Sequence, residues 1–166
     1  MIALLERFWK GIGTVVSGDW RHPDRRPLWA FASERTKGVE IRALGEARRS
    51  GHERIGTEHL LVAILAEEVG EAAMSLRRRN VSLPEVRSLV ELLNGTKPVE
   101  PKRSKWLNTP QHTAAMFAAD GRSRQLGYTD IEPEHVLYGI LLDEDAVATR
   151  ILRYLGVSVS QLIPEL

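Results

Sequence analysis

The chain has 166 residues, 43% of them apolar and 27% charged, with a net charge of +1. That balance suits a globular domain with a real core and lacks the basic excess with which nucleic-acid binders displace counterions. There is no cysteine, which excludes disulfides and thiolate chemistry and accords with a reducing cytoplasm, and no apolar run approaches the ~20 residues that span a bilayer.

Residues 1–30 open the chain. Ile2, Leu5, Phe8, Trp9, Ile12, Val15 and Val16 recur at helical spacing and predict a short amphipathic helix. Charged Glu6, Arg7 and Lys10 stand where a secretory signal would need an apolar core. The apolar face can dock on the body of the protein, take a partner helix or rest on a membrane surface; docking is the ordinary fate of such a face. Ser17 to Pro27 reads as a loop on its Gly and Pro punctuation.

Ser33 is an N-cap residue for a helix running to Ser50, where Gly51 ends it, with Val39, Ala43, Leu44 and Ala47 facing inward. Thr57 is expected to cap a second helix through about Glu67, with Leu60, Leu61, Ile64 and Leu65 inward. A third helix covers roughly Glu71 to Arg79, and Ser82-Leu83-Pro84-Glu85 reads as a capping box opening a fourth that Gly95 closes. The linker 96–108 follows, carrying Pro98, Pro101, Lys97, Lys102, Arg103 and Lys105; such a charge cluster is ordinarily just solvated. Thr109-Pro110 restarts the pattern, with helices over about 110–126, 133–142 and 145–155, turns at Gly127 and Gly156, and a last capping box at Ser158-Val159-Ser160-Gln161.

The second half repeats the first. Ile55-Gly56-Thr57-Glu58-His59-Leu60-Leu61 returns as Ile131-Glu132-Pro133-Glu134-His135-Val136-Leu137, and 33 to 109, 51 to 127 and 81 to 157 keep the same offset of 76. A gapless register of that length means one supersecondary unit was duplicated and packs on its copy. No segment alternates with period two, so no sheet is expected. The fold class is therefore all-α: two four-helix repeats (33–95 and 109–166) packed about a pseudo-twofold as one double-repeat domain, 31–166, behind an amino-terminal extension.

Glu58 and Glu134 occupy the first turn of equivalent helices, where a carboxylate complements the helix dipole by about 0.3–1 kcal/mol. His59 and His135 follow them. With His52 nearby they invite a metal reading, yet the spacing matches no zinc pattern and a hydrogen-bonded packing role fits better. Glu67-Glu68 and Asp143-Glu144-Asp145 are expected as solvated charge at helix ends, with no acid–base role. No Gly-x-x-x-x-Gly-Lys-Ser/Thr phosphate loop is present, so no nucleotide hydrolysis of that kind is expected, and no cofactor is called for.

Gly51-His52 with Ile55-Gly56-Thr57-Glu58-His59-Leu60-Leu61 resembles the signature of the Clp amino-terminal (Clp repeat) domain, the paired module at the front of the Clp/Hsp100 unfoldase ATPases. Thr109-Pro110, Leu126-Gly127-Tyr128, Glu134-His135-Val136-Leu137 and Ala148-Thr149-Arg150-Ile151-Leu152 are similar to its second half, so the resemblance runs from about 33 to 166. It implies a helical domain without catalytic activity, here free-standing without the ATPase modules, that binds a Clp-family unfoldase, its substrates or its adaptors in the cytoplasm. No nucleic acid or membrane is implied as a partner. In some members the matching glutamates hold the guanidinium of phosphoarginine. The resemblance carries that role to Glu58 and Glu134, with Gly56 and Thr57 beside the first and Ser33 and Thr109 as hydroxyls near the phosphate. The pairing is chemically sound, because a carboxylate grips guanidinium bidentately and helix-start N–H groups accept phosphate. Glu132-Pro133 in place of Gly-Thr removes a hydroxyl and an N–H and adds a negative charge, so the first copy is expected to dominate. A helical scaffold unrelated to proteolysis, or a small hydrolase built on the His and Glu residues, are the other readings.

Overall fold

The computed structural model describes residues 28–94 and 107–166; the expected amino-terminal helix, the closing role of Gly95 and most of the linker lie outside the described residues. A 3-10 turn, Leu28–Phe31, leads into α1 (Glu34–Arg49), β1 (Arg54–Ile55), α2 (Thr57–Leu65), α3 (Glu71–Arg77) and α4 (Leu83–Asn94). Then come β2 (Leu107–Asn108), α5 (Pro110–Gln125), α6 (Pro133–Leu141), α7 (Val147–Tyr154), α8 (Val159–Leu162) and a closing 3-10 turn, Ile163–Glu165. The bounds of α1 and α5, and of α2 and α6, keep the offset seen in the sequence. The chain is all-α, with one correction: β1 and β2 form a two-residue parallel pair, Arg54 opposite Leu107 and Ile55 opposite Asn108. Two residues are too few for a period-two pattern to show.

Sequence chemistry accounts for the helix ends. Ser33 and Thr109 are N-caps whose side chains accept the N–H of Thr36 and of His112, each at 3.1 Å. Gly51, Gly127 and Gly156 follow helix ends at φ 70, 80 and 81°, the left-handed region in which glycine has no Cβ to clash. Asn80, the counterpart of Gly156, takes φ 61°. Four local expectations are corrected. Gly56, not Thr57, is the N-cap of α2, and Thr57 is its first helical residue. Helix α3 stops at Arg77, and α7 begins at Val147 rather than 145. Ser158 makes no capping bond; its hydroxyl meets that of Ser160 at 3.2 Å.

The core is formed where α2 and α6 lie deepest. Leu60, Leu61, Ile64 and Leu65 of α2 and Val136, Leu137, Ile140 and Leu141 of α6 are all buried. Helix α1 covers α2 with Val39, Ala43 and Ala47, while Leu44 is only partly buried. Helix α5 covers α6 at close range: a Cβ on Gly139 would overlap the carbonyl of Ala115. The entry segments cross over. The N–H of Ser33 donates to Ile131 O (3.1 Å) and that of Thr109 to Ile55 O (2.9 Å), each first helix being anchored by the other copy. The Ala32–Ile131 bridge and the β1–β2 pair repeat the same exchange. Between α1 and α5 a fully buried polar pair, His112 Nε2 to Glu40 Oε2 at 3.1 Å, spans the copies and leaves Glu40 Oε1 and His112 Nδ1 without partners.

Candidate functional site

The crossed entries decide which candidates meet. Thr109 is brought to Gly56, Thr57 and Glu58 through its bond to Ile55, while Ser33 is brought to Glu132 and Glu134. Each candidate site therefore combines the cap of one copy with the helix start of the other. The two sites then diverge.

At the first, the Thr57 hydroxyl is buried and accepts the N–H of Ala148 at 3.3 Å, capping α7. That leaves Glu58 free of capping duty. Its carboxylate folds back over Gly56, where a Cβ would overlap it. Glu58 is 8% exposed and, among the described residues, has no arginine or lysine partner. Burial raises its pKa against the pull of its own backbone N–H and of His112. Its neighbour His59 lies 3.6 Å away, but burial, with His52 and His112 nearby, pushes the His59 pKa down to about 3, so the pair is not an ion pair at neutral pH.

At the second site Pro133 stands in place of Thr57 and has no hydroxyl to offer. Glu134 takes over the capping: its Oε1 accepts the N–H of Glu71 (3.0 Å) and of Ala72 (3.4 Å) at the start of α3. The same carboxylate holds Arg35 Nη2 at 3.0 Å. Glu67 contacts that nitrogen at 3.3 Å and Glu132 contacts Nη1 at 3.4 Å, while the Ser33 hydroxyl donates to Glu132 at 3.0 Å. Burial opposes ionisation of Glu134, but hydrogen bonds from its own backbone N–H and from Arg35 outweigh it and lower the pKa. Glu67 is raised instead, because burial outweighs its share of Arg35 and the more distant Arg42. One guanidinium divided among three carboxylates satisfies Glu134 first.

The histidines play parts that the sequence suggested only in outline. Gly56 N–H can only donate, so neutral His59 accepts it at Nδ1 (2.9 Å) and carries its proton on Nε2, which faces His52 Nδ1 at 2.6 Å. His135 accepts the Glu132 N–H in the same way at 3.0 Å, and Tyr128 replaces His52 as its edge-on neighbour. Each His thus does for its helix what the glutamate of a capping box does. His52, Glu58 and His59 place donor atoms within 4.8 Å of one another, as a metal group would, but both ring nitrogens of His59 are already engaged.

Sequence reading missed Arg35 and Gly70, and its expectation that Glu67 is solvated charge is corrected: Glu67 is 6% exposed and paired with Arg35. Comparing the copies for charge could have found Arg35, which is matched by the uncharged Gln111; Glu67 is matched by the equally acidic Asp143 and Gly70 by Ala146, so charge gives no signal there.

A duplicated helical domain with two unequal acidic sites at its crossed entries is what the fold and side chains define. The family described as the Clp repeat (R) N-terminal domain matches residues 32–155, and the chain belongs to it. It is 33% identical over 129 residues to the chaperone protein ClpB of Oceanobacillus iheyensis. It is 32% identical over 129 residues to the negative regulator of genetic competence ClpC/MecB of Bacillus subtilis. Each match covers 78% of this chain and 16% of the relative, so the chain spans a small part of those proteins. Among solved structures, the N-terminal domain of ClpD from Arabidopsis thaliana aligns with a TM-score of 0.69 at 23% identity, over 82% of this chain and 95% of that one. The N-domain of ClpV from Vibrio cholerae aligns at 0.68 with 14% identity, over 82% and 83%. Both similarities speak for the fold.

Proposed function

We propose that the domain is a non-catalytic recognition module of a Clp chaperone or protease system in the cytoplasm. It acts as an adaptor or regulator that engages substrates or the unfoldase itself, and its two copies are taken as 33–95 and 109–166. The relatives, a chaperone and a competence regulator, support a role in protein handling. No helix among the described residues is long and apolar enough to cross a membrane.

Within that role, arginine-phosphorylated proteins are the ligand the first site suits best. Glu58 is the observation that carries this reading. A nearly buried carboxylate with no arginine or lysine partner among the described residues, close to a threonine cap, is chemically incomplete, and a guanidinium would complete it. The test compares binding of an arginine-phosphorylated protein with binding of its unphosphorylated form. Equal affinity for the two defeats the phosphoarginine reading, and capture of a Clp unfoldase by the whole chain tests the broader one.

A further inference from the structure

We infer that the apolar groove at the far end of α6 is the docking site of this chain's own amino-terminal segment, residues 2–16. The groove is a cavity of about 440 Å³ where α6 and α7 end beside the short α8, floored by Leu141, Val157, Val159 and Ile163. Ligand pockets span roughly 300–1,000 Å³, so the space is large enough to take side chains from outside the core. Leu142 stands at its edge, 52% exposed. The shared fold does not impose this floor. In the first copy the matching Arg77 lays its guanidinium on the carbonyls of Leu65, Glu67 and Glu68, where α2 ends. In the second copy Arg153 turns outward to Glu144 at 3.3 Å, and Ile163 stands where Arg87 reaches across to Glu46. Of two arginines, one is moved to the rim and the other replaced, which leaves the floor apolar.

Reach, pattern and charge commit the groove to this occupant. The described chain starts at Leu28, and Phe31 O receives the N–H of Ile131 at the start of α6. The groove lies one length of α6 away, 9 residues or about 14 Å at 1.5 Å per residue. Residues 17–27 can extend to about 36 Å, so the connection is long enough. Ile2, Leu5, Phe8, Trp9 and Ile12 share one face of the helix that their spacing predicts, and an apolar floor is what such a face needs. Glu144 lines the groove between Asp143 and Asp145, with Arg153 as the one cation of the lining, and the negative end of the α6 dipole lies there too. Residues 2–16 bring the opposite balance, Arg7 and Lys10 against Glu6. The inference concerns neither the Glu58 site nor its ligand, and its failure leaves that reading untouched.

The test uses the whole chain, which has no cysteine, with a nitroxide attached at Thr14→Cys, away from the apolar face of the expected helix. The backbone amides of Leu142, Ser158 and Ser160 should lose most of their intensity, while that of Ile41, exposed on α1, keeps its own. The loss should survive about tenfold dilution, because a tethered segment docks at a fixed effective concentration. Phe8→Ser should abolish it from the side of the segment, and Leu142→Asn from the side of the groove. Broadening centred elsewhere, no broadening, or broadening that Phe8→Ser leaves unchanged overturns the inference. So does broadening of an isotope-labelled chain by the nitroxide of an unlabelled one, which would make the occupant a second copy. Should Leu142→Asn fail to fold, Phe8→Ser, which lies outside the described residues, decides alone.

Discussion

The carboxylate of Glu58 lies on the Cα of Gly56, in space that a Cβ would need, whereas Glu134 follows Glu132, which has that Cβ, and points away to Arg35 and the start of α3. One missing atom thus sets the direction of the glutamate at each site.

Gly56→Ala tests this directly. The backbone there is extended, φ −104° and ψ 178°, and the displaced atoms end a flexible side chain, so the thermal midpoint should hardly move. Phosphoarginine binding should fall as far as it does for Glu58→Ala. A variant that binds normally would show that the folded-back position of Glu58 is irrelevant to the ligand.

Glu58→Ala itself should cost on the order of 2–5 kcal/mol of binding to a phosphoarginine peptide, the usual loss when one partner of a buried charged pair is removed. Glu134→Ala should cost less in calorimetric titration, because its carboxylate is already committed to Arg35 and to the Glu71 and Ala72 N–H groups. Equal losses would mean that Glu132 and Pro133 are harmless.

Acid should weaken the fold through His59. Its pKa falls from 6.5 to about 3 on folding, so between those values the unfolded chain binds a proton that the folded chain refuses. Stability from this group is complete above about pH 6.5 and declines as pH falls toward 3, by up to about 1.4 kcal/mol per unit. His59→Asn keeps an acceptor for the Gly56 N–H but does not titrate, and denaturant melts between pH 6.5 and 5 should lose part of the slope. An unchanged slope would place the acid sensitivity elsewhere.

Two glycine pairs separate backbone from packing. Gly51→Val and Gly127→Val should each lower stability by roughly 1 kcal/mol or more, since both hold positive φ, and at Gly127 an added Cβ meets nothing. Gly139→Ala should cost more than Gly121→Ala, because the first overlaps the Ala115 carbonyl and the second finds open space inside a helix, where alanine is favoured by about 1 kcal/mol. Thermal midpoints in one buffer rank all four.

The Glu40–His112 pair should be costly to break and cheap to replace. Glu40→Met alone leaves His112 buried without its partner, at a cost of about 3 kcal/mol. Adding His112→Thr gives the pair that the copies already use at the matching positions, Met116 and Thr36, and should restore most of the loss. A double variant no better than the single one would show that the pair does not act as a unit.

The helices were legible because their signals are local: caps at Ser33 and Thr109, glycines at 51 and 127, apolar residues at helical spacing. The duplication was legible because a fixed offset needs no structure to be seen. The crossing of Ser33 to Ile131 and of Thr109 to Ile55 was not, since a repeat reveals that two copies pack but not which copy completes which site. Thr57 was misread for a related reason: its hydroxyl caps Ala148, in the other copy, instead of its own helix. Arg35 was invisible because its partners at 67, 132 and 134 are distant in sequence, and only the fold gathers them.

The exchanged entry bonds also bear on what half of this chain could do alone. Either copy, expressed by itself, would present an entry segment and the backbone around Ile55 or Ile131 with no mate, and would find its complement only in a second chain at whatever concentration the solution supplied. Fusion makes that encounter intramolecular, so the association is held by tether length rather than by affinity. The surface between the copies was thereby released from the need to be self-complementary, and Arg35 and Gln111, Glu132 and Gly56 could diverge into two different places on one molecule.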